Sequence, residues 1–336
     1  MPANSRDAIG IVGAGAWGTA LAHSLSVAGR AVRLWAYEAE TAREINESHT
    51  NRNFLSGVVL DAGVVATASF TDLAECGLIL LVSPAQHVRR VAVQLRQWVG
   101  PEVSLVICAK GLEEATGKLL SDVLAEEMPG TSVATLSGPS FASEVARGLP
   151  AALTLGCDSE DLAERISNLL HSQNLRVYWT DDVVGVQLGG AIKNVLAIAA
   201  GVIDGRQMGA SAHAALVTRG FAEMRRLAEA FGARGETLFG LSGLGDLLLT
   251  CSSRQSRNMS LGRALGVGES LNDILAHRRS VAEGIYTARA VVAIADQYSV
   301  EVPISRAVAA VVNGDIKIDR AIDSLMSRPL RSELDR

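Results

Sequence analysis

Four cysteines, Cys76, Cys108, Cys157 and Cys251, stand far apart in this 336-residue chain. No CxxC pair and no Cys/His cluster occurs, which argues against a zinc site and against a disulfide framework; reduced, buried thiols are expected. The six histidines show no HxxxH spacing, so no metal site is predicted. Aromatic residues make up only 4% of the chain, no basic run is interleaved with them, and the net charge is −5. Nucleic-acid binding is therefore not expected. No uncharged apolar stretch is long enough to span a membrane. The apolar residues near the N-terminus are broken by glycines and follow no basic region, so no signal peptide is expected. Internal repeats and low-complexity tracts are missing too. Ser140 has no evident His/Asp partner in a G-x-S-x-G elbow, which disfavours a hydrolase.

What the chain does contain is apolar bulk: 48% of its residues, mostly Ala, Leu and Val, with 32 glycines besides. That is ample for roughly two domains built from α/β layers and closely packed helices. The most informative stretch is Ile9-Gly-Ile-Val-Gly-Ala-Gly-Ala-Trp-Gly18. Residues 8–12 read as a buried strand and residues 17–28 as a helix, joined by Gly13-x-Gly15-x-x-Gly18. In this order, Gly13 permits a tight turn, Gly15 lets backbone approach a pyrophosphate, and Gly18 lets helix and strand pack closely. The helix N-terminus adds free N–H groups for phosphate. Gly29 can end the helix, residues 31–36 form a second strand, and Glu38 follows 20 positions after Gly18. An acid there accepts from an adenosine ribose and disfavours a 2′-phosphate; its alternative is a solvated acid at a helix start. Tyr37 beside it can stack on adenine.

Organisation changes along the chain. Residues 78–82 and 103–108 are continuous apolar runs of strand length, as in parallel strands covered on both faces. Residues 132–136, 151–155 and 176–179 are further strands; 87–99, 116–128 and 158–171 are helices. After about Asp182 long helical patterns dominate: 183–203, 212–231, 260–266, 271–277, 287–298 and 304–312. The expected fold is α/β, an N-terminal Rossmann-type mostly parallel sheet followed by an all-helical C-terminal domain. Residues 1–182 would form the dinucleotide-binding domain and 183–330 the helical substrate-binding domain, with the site in the cleft between them.

Several side chains can carry chemistry. Lys193 is the only charged residue between 183 and 203. A helix apolar nearly all round is buried, and burial lowers a lysine pKa towards neutrality, which suits acid–base work. The alternative is a lysine that snorkels to the surface. Gly189 and Gly190 on that helix imply a close approach to its backbone, and Asn194 adds an amide. Lys110 follows a strand directly, within reach of a phosphate or substrate oxygen. Asp246, inside an apolar stretch, needs a partner; Lys193 is the obvious mate, and a helix N-cap for Leu247 onward is the other reading, compatible with the first. Ser256-Arg257-Asn258 groups a hydroxyl, a guanidinium and an amide, a mixture suited to phosphate but also to a polar loop.

The ordered set GAGAWGTALA, CAKGLE, LSGPSFASEVARGLP, GVQLGGAIKNVLAIAAG, GLGDLLLTC, QSRN and VAEG resembles the soluble bacterial glycerol-3-phosphate dehydrogenase family over roughly residues 9–325. The resemblance implies an oxidoreductase interconverting sn-glycerol 3-phosphate and dihydroxyacetone phosphate with NAD or NADP. It further implies a cytoplasmic homodimer that supplies glycerophospholipid synthesis. Lys193 would be the proton donor and acceptor. Lys110, Gly138, Ser140, Lys193, Asp246, Ser256, Arg257 and Asn258 would line the substrate site. Gly13, Gly15, Ala16, Trp17, Gly18, Tyr37, Lys110, Ala142, Arg257, Val281 and Glu283 would contact the dinucleotide. Many bacterial relatives carry Ser at the Ala16 position, and Arg or His at Tyr37; the latter departure leans towards NADH. Other two-domain dehydrogenases, of β-hydroxyacid or ketopantoate type, and a catalytically silent dinucleotide sensor are the competing assignments.

Overall fold

A computed structural model of the chain describes residues 8–277, 282–330 and 332–333. Residues up to Thr180 build one eight-stranded sheet from β1 (Ile9–Val12), β2 (Val32–Trp35), β3 (Val64–Thr67), β4 (Leu78–Leu81), β5 (Ser104–Ile107), β6 (Val133–Ser137), β7 (Ala151–Gly156) and β8 (Leu175–Thr180). The spatial order is β3-β2-β1-β4-β5-β6-β7-β8. Strands β1 to β6 pair in parallel, β7 runs antiparallel to β6, and β8 is parallel to β7. The strand order reverses at β1, with β2 and β3 added on one side and β4 onward on the other. That is the topological switch point at which open sheets of this type leave a crevice.

Both sheet faces are covered, which explains the unbroken apolar runs. Leu78, Leu80 and Val106 point into one core, shared with α1 (Ala16–Val27), α2 (Ala39–Ser48), α5 (Ala142–Ala146) and α6 (Glu160–Leu170). Ile79, Leu81, Leu105 and Ile107 point into the other, shared with α3 (Val88–Leu95) and α4 (Leu120–Glu127). All four cysteines are free and buried.

Helices take over at α7 (Val183–Gly205), followed by α8 (Ala210–Ala230), α9 (Gly235–Phe239), a π-helical turn at Leu241–Gly245, α10 (Asp246–Ser252), α11 (Arg257–Val267), α12 (Leu271–Ala276), α13 (Gly284–Gln297), α14 (Pro303–Asn313) and α15 (Ile318–Met326). Asp182 caps α7 by accepting from the Gly185 N–H at 2.8 Å. By length and composition α7 could cross a bilayer, but 89% of its apolar window is buried inside the fold. It is the central core helix of the second half.

Four glycines bring α7 and α11 into backbone contact. A Cβ on Gly201 would stand 2.0 Å from the Met259 carbonyl oxygen, and one on Gly205 2.4 Å from that of Arg263. Conversely, Gly262 faces the Ile198 oxygen at 1.9 Å and Gly266 the Val202 oxygen at 2.7 Å. Each pair is one helical turn apart, so each lies on one face. Gly262→Ala should therefore destabilise the protein by about 2–4 kcal/mol in urea unfolding, because a whole helix must retreat. A change below about 0.5 kcal/mol would contradict the contact.

Candidate active site

Strand register aligns the carboxyl ends of the central strands. Val12 pairs with both Trp35 and Leu81, and Leu81 with Ile107, so β2, β1, β4 and β5 end level. Four adjacent strands at about 4.8 Å spacing give an edge about 14 Å long, suited to an extended ligand. At its middle, Gly13 has φ +120°, and a Cβ there would meet the Ser83 backbone nitrogen at 3.0 Å. Gly18 packs so closely that its Cβ would overlap the Gly13 carbonyl oxygen at 1.9 Å. A Cβ on Gly15 would meet nothing within 4 Å. Ala16 and Trp17 open α1, where backbone N–H groups lack intrahelical acceptors.

Beyond β2, Tyr37 is 71% exposed and has the Arg90 guanidinium 6.0 Å from its ring centre. Glu38 precedes α2 as its N-cap, but its side chain makes no cap hydrogen bond. Ala142 opens α5 and packs with Trp17 against the same core.

A lysine–aspartate–lysine bridge links the strand-end loops to α7 and α10. Lys110, from the loop after β5, donates to the Gly138 carbonyl at 2.9 Å and to Asp246 Oδ2 at 2.6 Å. Lys193, from α7, donates to Asp246 Oδ1 at 2.5 Å and to Thr250 Oγ1 at 2.8 Å. Asp246 is 1% exposed and the Lys193 side chain 8%. The snorkelling alternative for Lys193 therefore fails: its amine points inward. Asp246 does not cap a helix either. It is the first residue of α10, Gly245 occupies the cap, and the carboxylate turns to the lysines instead. Burial pushes the Lys193 pKa down to about 8; the Asp246 charge opposes that fall, and the Lys110 charge adds to it. With one carboxylate between two ammonium groups, the cluster keeps a net positive charge.

Thr250 is a partner that the sequence reading missed. Its signal was the i, i+4 spacing from Asp246, which puts both on one face of α10. The close approach inferred from Gly189 and Gly190 is made by Ser242 and Ser137. A Cβ on Gly189 would lie 2.7 Å from the Ser242 carbonyl oxygen, and one on Gly190 2.6 Å from Ser137 Oγ. The π-helical turn thus presses against α7 and delivers Asp246 beside Lys193.

An amide relay continues the site. Asn194 donates to the Lys110 carbonyl at 3.2 Å, Asn258 donates to Asn194 Oδ1 at 2.9 Å, and the Gly284 N–H donates to Asn258 Oδ1 at 3.0 Å. Among the described residues, Asn258 Nδ2 donates to Asn194 Oδ1 alone. Ser256 is buried and caps α11, accepting from the Met259 N–H at 3.2 Å. Arg257 opens that helix and is exposed. Ser140 donates to the Gly138 carbonyl at 3.4 Å. Glu283, at the start of α13, accepts from the Ala85 N–H at 3.3 Å and so ties the helical half to the loop after β4. Burial pushes its carboxyl pKa up, against the Ala85 N–H and the Arg257 charge. Its Oε2 is buried with no donor among the described residues. Val281 lies outside the described residues.

Two family models match this chain: the N-terminus of NAD-dependent glycerol-3-phosphate dehydrogenase over residues 8–163, and its C-terminus over residues 182–323. A glycerol-3-phosphate dehydrogenase (NAD(P)+) of Parvibaculum lavamentivorans is 52% identical, over 97% of this chain and 98% of the relative. One of Caulobacter vibrioides is 51% identical, over 97% and 99% respectively. The crystal structure of glycerol-3-phosphate dehydrogenase from Coxiella burnetii superposes with a TM-score of 0.92 at 37% identity, covering 96% of this chain and 100% of that one.

The bridge makes an electrostatic prediction. Lys110→Met removes a charge that lowers the Lys193 pKa and leaves Lys193 as the one cation bonded to Asp246 among the described residues. The Lys193 ammonium, titrated by NMR of its labelled Nζ, should then titrate above the value of about 8 expected for the parent chain. An unchanged or lower value would contradict the coupling.

Proposed function

The chain belongs to the NAD-dependent glycerol-3-phosphate dehydrogenase family, and from that premise we propose how its residues interconvert sn-glycerol 3-phosphate and dihydroxyacetone phosphate. It is an oxidoreductase, and its cofactor is NAD or NADP. The residues present fit that cofactor: the open space at Gly15 would admit a phosphate close to the backbone, and Glu283 Oε2 is buried with no donor among the described residues. Gly13, Gly15, Ala16, Trp17 and Gly18 would hold the pyrophosphate, and Tyr37 the adenosine. Lys110, Ala142, Arg257 and Glu283 would contact the remainder, with Val281 assigned to the same group by resemblance. When bound, the nicotinamide supplies or accepts the hydride at C2 of the triose.

The substrate phosphate would lie at Arg257, whose guanidinium offers two parallel donors, with Ser256 and Asn258 completing its shell. Gly138 and Ser140 would form the opposite wall. The Lys193 ammonium would hydrogen-bond the C2 carbonyl and pass it a proton as negative charge develops there; in the oxidative direction the neutral amine takes that proton back. Asp246 and Thr250 hold the amine in place, and Lys110 adds positive charge near the oxygen. The single observation that carries this reading is the buried Lys193 amine, aligned by two acceptors, where burial lowers its pKa. A division at 182/183 into a dinucleotide-binding and a substrate-binding domain, a cytoplasmic homodimer, and the supply of glycerophospholipid synthesis belong to the same proposal.

Lys193→Ala should cut kcat for dihydroxyacetone phosphate reduction by about 10²–10⁴-fold, followed by loss of NADH absorbance, with the circular dichroism spectrum retained. Near-parental turnover would remove Lys193 from the role. Arg257→Ala should chiefly raise the KM for dihydroxyacetone phosphate, by about tenfold or more. An unchanged KM would move the phosphate elsewhere.

A further inference from the structure

Asn51 takes no part in the scheme above, yet it is fully buried behind the glycine turn. Helix α2 ends at His49 in a left-handed conformation (φ 51°), and the chain then folds into a short strap. The strap is firmly held. Leu60 N–H donates to the His49 carbonyl at 2.8 Å, Leu55 N–H to the Asn51 carbonyl at 2.8 Å, and Thr50 Oγ1 to Glu44 at 2.8 Å. Leu55 and Leu60 are buried in the same core as Ala14.

From this anchored position Asn51 Nδ2 donates to the Ala14 carbonyl at 2.9 Å and to Thr19 Oγ1 at 2.9 Å. Thr19 Oγ1 donates in turn to the same carbonyl at 3.3 Å. Both amide hydrogens are thus committed. The inverted amide would set oxygen against oxygen, so the acceptor fixes the orientation. Asn51 Oδ1 is left buried without a donor among the described residues. Fold stability alone gives no reason to leave a buried acceptor unpaired. The amide is placed for its donor end.

Its target is the peptide that precedes Gly15. That peptide is trans, so its carbonyl and N–H point in opposite directions. Fixing the Ala14 oxygen inward aims the Gly15 N–H outward, alongside the free N–H groups that open α1. On its C-terminal side this peptide adjoins Gly15, which has no Cβ to restrain its rotation. Turned over, it would present a carbonyl oxygen to a phosphate. We propose that Asn51, acting with Thr19, is a positioning residue for the dinucleotide's pyrophosphate. This inference rests on the reading that residues 13–18 hold that group.

The test compares inhibition by ADP, which carries the pyrophosphate, with inhibition by adenosine, which lacks it. Asn51→Ala should raise the KM for NADH and the inhibition constant of ADP by about tenfold, with the adenosine constant and the KM for dihydroxyacetone phosphate unchanged. Thr19→Val, close to isosteric, should weaken ADP in the same selective way, and Thr19→Ser should restore it; this pair serves if Asn51→Ala does not fold. Equal weakening of ADP and adenosine, or no weakening of ADP in the folded variants, overturns the proposal. Gly15→Val separates the two layers. If it leaves NADH binding intact, the pyrophosphate lies elsewhere and both readings fall. If it blocks NADH while Asn51→Ala and Thr19→Val leave ADP unaffected, only the positioning role falls.

Discussion

A single buried carboxylate, Asp246, joins the two halves of this molecule chemically. It receives Lys110 from the sheet and Lys193 from α7. Desolvating an ammonium is costly without a partner, and an uncompensated charge in such a place is strongly destabilising. Asp246 supplies that partner to both lysines at once. The balance on Lys193 is what matters for chemistry. Burial favours the neutral amine, Asp246 favours the charged one, and Lys110 tilts the balance back towards neutrality. The outcome, about 8, leaves the amine able to give and to take a proton near physiological pH.

Such a bridge needs backbone brought unusually close. Gly189 admits the π-helical turn that carries Asp246, and Gly190 admits Ser137 at the end of β6. Gly201 and Gly205 admit α11, whose first turn then places Asn258 against Asn194. Glycine disfavours helices in isolation, so α7 relies on burial and on its Asp182 cap to stay helical. Conformational cost in one helix is offset by the close contacts that position the π-helical turn, the end of β6 and α11. On the sheet side the same principle recurs in smaller form, where Gly18 lies against Gly13 and Asn51 fixes the turn from behind.

Much of this was legible in the chain. Continuous apolar runs announced parallel strands, because residues covered on both faces leave no polar alternation. Lys193 stood out as the one charge in a run that had to be buried, and Asp246 as its mate. The short edge strand Val64–Thr67 escaped, since four residues at the sheet margin carry little pattern. So did α9 and the π-helical turn, where Leu-Ser-Gly-Leu-Gly is held by packing against α7, α9, α10 and β7 rather than by local pattern. Thr250 and Asn51 were missed for a different reason. Each acts through one atom on a partner distant in sequence, 57 residues away for Thr250 and 37 for Asn51; for Thr250 the i, i+4 spacing marks a shared helix face with Asp246 but not the distant lysine, and for Asn51 no local periodicity marks the contact. The role of Asp246 as a bridge, rather than as a partner to one lysine, was likewise visible only once β5 and α7 were in place.

The central claim is that one amine, held by Asp246, carries the proton in both directions. The pH dependence of kcat/KM, measured for each direction, tests it most directly, because that ratio reports ionisation of the free enzyme. Reduction of dihydroxyacetone phosphate needs Lys193 protonated, so its kcat/KM should fall as pH rises through about 8. Oxidation of glycerol 3-phosphate needs the neutral amine, so its kcat/KM should fall as pH drops through the same value. Two limbs of the same sign, or limbs centred on widely different pH values, would contradict the account.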